Sequence, residues 1–176
     1  AGVTVGTTTI GDIGANQTGV DFSGSQTTAA FGTTTITANG DLTSTGIDLS
    51  STTGNRVITF AQGSRIDNAG VGVQLSSSGT VATTANADFT FGDGDSTDGL
   101  ESFIVAAAGG FHVDASGVDA ASGTYNFRDV VLTGFARLQL APNAVTLVSQ
   151  SGGVVSAGTF GLSETVNTIS LAAAEV

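Results

Sequence analysis

The sequence has no cysteine, methionine or tryptophan, and it has one histidine among its 176 residues. The absence of cysteine excludes disulfides, thiol nucleophiles and thiolate metal sites. Lysine is also absent, so four arginines stand against fifteen acidic residues and the formal net charge is -11 at pH 7. This charge argues against nucleic acid and against an anionic membrane surface as partners. Because no apolar run approaches about eighteen residues, no transmembrane helix is predicted.

Glycine, in contrast, occurs 26 times and is spread over the whole chain. Frequent glycine and β-branched residues disfavour helix interiors, and short alternating runs bounded by Gly, Asn, Asp and Ser are typical of β-strands. The length suits one hydrophobic core. We therefore predict a single all-β domain over residues 1–176. The predicted strands include the runs at 2–5, 33–37, 56–60, 87–91, 124–132, 135–140 and 165–171.

A repeated motif organises much of the chain. The segments TGVDFSG, TGIDLSS and VGVQLSS each contain a glycine followed by a β-branched, a polar and a large apolar residue and then a serine. Their glycines, Gly19, Gly46 and Gly72, are 27 and 26 residues apart, and weaker copies begin at Gly99 and Gly117. These spacings predict a repeat-like region over residues 13–123, followed by a cap or assembly segment over 124–176. A phenylalanine follows each motif and predicts a second inward strand per repeat; the candidates are Phe31, Phe60, Phe89 or Phe91, and Phe127.

Strand-rich repeats with a period in the twenties are typical of a solenoid, in which each turn buries its apolar face against its neighbours. Alternation within the motif predicts that Val20 and Phe22 point inward while Asp21 points outward. Stacked repeats would then place Phe22, Leu49 and Leu75 in one internal column. We predict a right-handed parallel β-solenoid with a capping or exchangeable terminal strand. The alternative is an antiparallel β-sandwich or jelly roll, whose regularly spaced strands give the same alternation.

Two stretches carry a resemblance to a known group of proteins. TTTITANGDLTSTGIDLSS and RIDNAGVGVQLSSSG resemble the degenerate repeats of bacterial surface proteins, namely autotransporter passengers and filamentous-haemagglutinin-like adhesins. The resemblance covers residues 13–91, and it implies a right-handed parallel β-helix, export to the cell surface and an adhesive or scaffolding role. Residues 124–176 depart from it, because they are more continuous and more apolar.

An acidic segment, FGDGDSTDGLE, is the candidate metal site. It contains Asp93, Asp95, Asp98 and Glu101 together with turn-forming glycines. Calcium prefers several oxygen ligands on a tightly turning backbone, so these four residues are predicted calcium ligands. Their spacing is not that of an EF-hand. The alternative is a polar turn between two strands.

The single histidine, His112, has no thiolates with which to complete a zinc site. Strand alternation predicts that it faces solvent while Phe111 and Val113 face inward. Gly109 and Gly110, just before it, are predicted to form a turn. With no acid pair in an evident pocket, we predict that the protein is not an enzyme.

Threonines at 7–9, 33–35 and 37 have the spacing of ranks on one strand face, a surface chemistry that some ice-binding solenoids use. Threonine is also a common strand former that packs as cross-strand pairs on solvated faces. Residues 16–18, Asn-Gln-Thr, match the acceptor pattern for N-glycosylation.

These observations predict a secreted or cell-surface structural subunit. Strand edges that carry no lysine and almost no proline invite pairing with another chain, so we expect self-assembly into an extracellular filament, surface layer or adhesive coat. The expected partners are further copies of the chain and, for an adhesive coat, surface glycans. The alternative function is a glycan- or ice-binding surface module without catalysis.

Overall fold

The computed structural model describes residues 2–22, 28–50, 56–74, 87–92, 102–115, 125–128, 130–133, 137–140, 147–150 and 169–171. These residues form strands and short connections, and no helix occurs among them. The strands are β1 (Gly2–Val5), β2 (Thr8–Ile13), β3 (Thr18–Asp21), β4 (Thr28–Phe31), β5 (Thr34–Ala38), β6 (Thr45–Asp48), β7 (Arg56–Phe60), β8 (Arg65–Gln74), β9 (Ala87–Phe91), β10 (Ser102–Ala115), β11 (Tyr125–Arg128), β12 (Val130–Thr133), β13 (Arg137–Leu140), β14 (Leu147–Gln150) and β15 (Ile169–Leu171). The all-β prediction is confirmed for this part of the chain.

Wherever two described strands pair as neighbours in a sheet, they run parallel. One sheet has the order β1-β4-β7-β9-β11-β14-β15, and the other contains the path β12-β10-β8-β5-β2 with β3, β6 and β13 beside it. These sheets curl into a half-barrel. The antiparallel sandwich is therefore the wrong alternative for the described strands. Parallel neighbours need a crossover connection, so neighbours in each sheet are distant in sequence.

The strands fall into three stacks, which the chain visits in the same order. The first stack is the sheet from β1 to β15, the second contains β2, β5, β12 and the first parts of β8 and β10, and the third contains β3, β6, β13 and the last parts of β8 and β10. The two long strands span both stacks because each continues through an irregularity in register. Each of the five passages from β1 to β13 thus adds one layer to every stack, and the described strands that follow, β14 and β15, belong to the first stack.

The repeated glycines occupy one column in the third stack. A Cβ atom built on Gly19 would lie 2.7 Å from the carbonyl oxygen of Gly46, and one on Gly46 would lie 2.6 Å from that of Gly72. Strands approach so closely here that only glycine fits. The predicted repeat is therefore a structural one for these three motifs. The next position in the column belongs to His112, and not to either weaker copy, because Val71 and Val73 pair with Phe111 and Val113.

The phenylalanines form a column in the first stack, as their spacing predicts. Phe31 pairs with Phe60, Phe60 with Phe91, and Phe91 with Phe127. The rings of Phe31 and Phe60 stack with centroids 4.6 Å apart, and those of Phe60 and Phe91 are 5.8 Å apart. Offset or stacked aromatic contacts add to the apolar burial of such a column.

Apolar residues from all three stacks meet in one core. Phe22 and Leu49 are buried in adjacent layers, as the inward column predicts, while Leu75 lies outside the described residues. Each donates its backbone amide to the next layer: Phe22 to the Asp48 carbonyl (2.7 Å), and Leu49 to the Gln74 carbonyl (2.8 Å). The core is therefore shared between layers, and a single layer does not contain it.

Gly109 and Gly110 do not form the predicted turn. Both lie inside β10, where the register against β8 shifts between Ala106 and Phe111. Gly109 has a φ of 86°, a conformation that glycine adopts without strain. The glycines therefore bend a continuous strand and do not end it.

Candidate functional site

The predicted calcium ligands, Asp93, Asp95, Asp98 and Glu101, lie outside the described residues. Among the residues that the structure does describe, no group of three His, Asp or Glu side chains is placed to hold a metal ion. Calcium binding by the acidic segment therefore stays a prediction.

The first strand of each stack forms the candidate functional site, which we call the open edge: β1, β2 and β3. Within the described part of the chain, β1 pairs only with β4, β2 with β5, and β3 with β6. An edge strand leaves every second N–H and C=O group directed away from its partner. The open edge thus presents a row of backbone donors and acceptors from all three stacks.

One core column of each stack is more exposed at the open edge than in the layers that follow, although Ile13 in β2 is itself buried. In the first stack, Val3 is 50% exposed, whereas its successive partners Ala29, Ile58 and Phe89 are 3%, 0% and 0% exposed. Ile10 and Val20 begin the corresponding columns of the other two stacks and are only partly buried. The residues that follow them in these columns are buried: Ile36, Ile66 and Ile104 in the second stack, and Ile47, Val73 and Val113 in the third. The open edge therefore leaves the first residue of these three columns incompletely covered.

A polar column runs along the third stack beside the apolar one. Asp21, Asp48, Gln74 and Asp114 are successive register partners. Asp21 is exposed as predicted, Asp48 is half-buried, and Gln74 and Asp114 are buried, so exposure along this column decreases away from the open edge. The buried members satisfy each other, because Gln74 Nε2 donates to Asp114 Oδ2 at 3.3 Å.

The charge of Asp48 is disfavoured by its surroundings. Burial raises the pKa of this carboxyl above the ordinary aspartate value, although hydrogen bonds from Ser50 act in the opposite direction. The negative charge of Asp21 in the next layer adds a smaller increase to the same pKa. The Ser50 amide donates to Asp48 Oδ1 at 2.7 Å and holds the carboxylate at the end of its strand.

His112 is buried, so the prediction that it faces solvent is wrong. Only 2% of it is exposed. His112 lies opposite Gly72, between the partners of Val71 and Val73, and a Cβ atom at Gly72 would meet the Ile104 side chain, so this column faces the core. Adjacent residues of the third stack, such as Gly46 and Ile47, are both buried, so the two-residue alternation on which the prediction depends does not hold there. Val113 is buried as expected, and Phe111 is only partly buried.

The threonine ranks are too short for a flat binding face. Thr8 pairs with Thr34, which is buried, so this column faces the interior. Thr9 pairs with Thr35, but in the next two layers away from the open edge this column contains Arg65 and then Phe103. A charged side chain therefore interrupts the rank after two layers.

Asn16, the first residue of the glycosylation pattern, is exposed at a turn and has a φ of 56°. Its modification stays a prediction.

No helix among the described residues is long and apolar enough to cross a membrane.

Comparison of the chain with protein-family models, with curated proteins and with solved structures found no match.

Glycine spacing misplaces the fourth copy of the motif, yet the sequence carries another signal for it. Val113, Asp114 and Ser116 repeat the Val-Asp-x-Ser pattern of Val20 to Ser23, so alignment on the acidic residue and the serine would have located this layer.

Proposed function

We propose that the chain is a secreted structural subunit that self-assembles through strand-edge contacts into an extracellular filament, surface layer or adhesive coat. Its three stacks are the faces of a right-handed parallel β-solenoid, and each passage of the chain is one turn. This interpretation is supported by the constant order in which the chain visits the stacks and by the glycine and phenylalanine columns that run through them.

The open edge is the observation that carries the proposal. It combines unpaired backbone groups with Val3, a half-exposed residue whose column partners Ala29, Ile58 and Phe89 are buried. Adding another layer would bury Val3 at about 25 cal/mol per Å² of apolar surface and would pair the backbone groups at the same time. Further copies of the chain are the partners that can supply such layers indefinitely. Head-to-tail addition does not close on itself and produces a fibre.

The test compares two exposed valines of the same sheet. Val3 lies in the edge strand and is 50% exposed, whereas Val57 lies in the interior strand β7 and is 48% exposed. Purified protein is expected to form filaments visible by electron microscopy above a critical concentration. Val3→Glu should raise that concentration at least about tenfold, because it places a charge in the new layer of core. Val57→Glu should leave it nearly unchanged.

Light scattering across a concentration series measures both variants, and circular dichroism checks that each retains the fold. A parent protein that remains monomeric at every concentration would overturn the proposal. Equal effects of the two substitutions would instead show that assembly uses a face of the sheet and not its edge.

A further inference from the structure

The sheet that begins with β1 has a second edge, formed by β15. Among the described residues, β15 pairs only with β14. All strands of this sheet run in the same direction, so the β15 edge of one copy meets the β1 edge of another as a parallel pair without any reversal. The two edges of this sheet are complementary in direction.

The two edge strands also have the same alternation. Val3, Thr4 and Val5 read apolar, polar, apolar, and so do residues 169–171, Ile-Ser-Leu. Register is continuous across the sheet through intervening strands, so Ile169 falls in the column of Val3 and Leu171 in the column of Val5. A slip of one residue would reverse the faces of the incoming strand.

The charge distribution does not oppose this joint. Copies with a net charge of -11 repel each other, yet neither β1 nor β15 contains a charged residue. The contact can therefore form without opposing like charges directly across it. Repulsion between the remaining surfaces is screened by salt. A second copy meets the requirements for direction, alternation and charge with residues already placed at its edge.

We propose that copies join by parallel pairing of β15 of one copy with β1 of the next, with Ile169 beside Val3 and Leu171 beside Val5. This inference rests on the proposed function of strand-edge assembly and specifies its joint. In the joint, Thr4 pairs with Ser170, because both belong to one register column of the sheet. The half-exposed Val3 becomes an interior member of its column, as Ala29 is in the next layer.

The absence of native cysteine makes disulfide trapping a direct test. The variant Thr4→Cys/Ser170→Cys places thiols on neighbouring strands about 4.8 Å apart, which is within the range that a disulfide bridges. The matched control, Gly2→Cys/Ser170→Cys, keeps one thiol and moves the other by two residues on the same face. Its separation of about 8 Å is beyond that range. Thr59→Cys/Thr90→Cys calibrates the reaction, because these residues are in register within one copy.

Oxidation of assembled protein, followed by non-reducing electrophoresis, separates the outcomes. The inference predicts a covalent ladder of oligomers for the Thr4/Ser170 variant, at least about tenfold more intense than for the Gly2/Ser170 control. Filaments with no ladder, or equal ladders in both variants, would overturn this joint while strand-edge assembly stands. A disulfide formed within single copies would also overturn it. If the calibrating pair bridges but no filaments form, the joint and the proposed function fail together.

Discussion

The strands β3 and β6 have almost the same sequence but different surroundings. They read Thr-Gly-Val-Asp and Thr-Gly-Ile-Asp and are register partners. β6 lies between β3 and β8, whereas β3 belongs to the open edge. Ile47 is completely buried where its partner Val20 is only partly so. Asp48 is half-buried with a raised pKa where its partner is exposed.

This difference shows that burial in a stacked fold belongs to the layer as much as to the residue. Val20 and Asp21 of β3 would reach the burial of their partners in β6 only if another strand covered them. The glycine position behaves differently, because Gly19 is packed nearly as tightly as Gly46. Its close contacts are made with Gly46 and Ile36 of the following layer and with Ile13 of its own layer, and none of them depends on a strand beyond the edge. Steric constraint at the glycine is therefore complete in the edge layer, whereas burial of Val20 is not.

The largest expected effect compares the apolar positions. Ile47→Ala should lower the free energy of unfolding by about 3 kcal/mol, because it leaves a cavity in a fully buried column. Val20→Ala should cost only about 1 kcal/mol, since that side chain is already in part hydrated. Urea unfolding under conditions in which the protein is monomeric measures both. Equal losses would mean that β3 is covered in solution and that the open edge does not exist.

The glycine positions are expected to give an intermediate effect. Gly46→Ala should destabilise the fold by about 1–3 kcal/mol, because the new methyl group meets backbone that cannot move aside. Its Cβ atom would lie 2.6 Å from the Gly72 carbonyl oxygen. Gly19→Ala should cost a similar amount despite its position at the edge. Thermal unfolding of both variants checks this equality.

The control for the glycine pair is Gly11→Ala. No atom lies within 4 Å of a Cβ built at Gly11, so this change should stay within about 0.5 kcal/mol of the parent protein. A Gly46→Ala variant as stable as Gly11→Ala would contradict the close approach of the strands.

The smallest effect concerns the acidic positions. Because its pKa is raised in the folded state, Asp48 binds a proton more tightly there than in the unfolded chain, so its contribution to stability is lost as pH rises from the ordinary aspartate value through the raised one. Asp48→Asn should therefore raise the melting temperature at pH 7 and flatten its dependence on pH over that window. Asp21→Asn should act in the same direction but less, since its charge is the smallest cause of the shift.

Asp41 supplies a control with the opposite sign. Hydrogen bonds from Thr43, whose amide lies 2.8 Å and hydroxyl 2.5 Å from Asp41 Oδ1, lower the pKa of this exposed carboxyl. Its contribution is present above the ordinary aspartate pKa and is lost as pH falls through the lowered one. Asp41→Asn should thus lower the melting temperature at pH 7. Melting curves for Asp48→Asn and Asp41→Asn that shift in the same direction would contradict both assignments.

Parts of the fold were accessible to sequence reasoning because they depend on local patterns. β7 and β9 have the bounds that alternation predicts. The single strand predicted over residues 124–132, in contrast, corresponds to two strands, β11 and β12, which lie in different sheets. The register of the first three motifs followed from glycine spacing. The fourth layer did not, because the chain between β8 and β10 is longer and a fixed period therefore points to the wrong residues.

The candidate site was only half visible in the sequence. The runs that contain β1 and β15 were recognisable as strands, and the lack of lysine suggested unprotected edges. Nothing in the sequence distinguishes Val3 from Val57, however, although one belongs to a core column and the other to the outer face. Their near-equal exposure has different causes, which only the pairing of the strands reveals.

The sequence by itself determined the strand content, the positions of the three repeated glycines and the phenylalanine column, because each follows from backbone sterics or from alternation over a few residues. Tertiary structure alone decided that the strands pair in parallel, that His112 is buried, and which layer of each column is left uncovered. Those properties depend on contacts between residues far apart in the chain, where connections of unequal length remove any fixed spacing that a sequence pattern could follow.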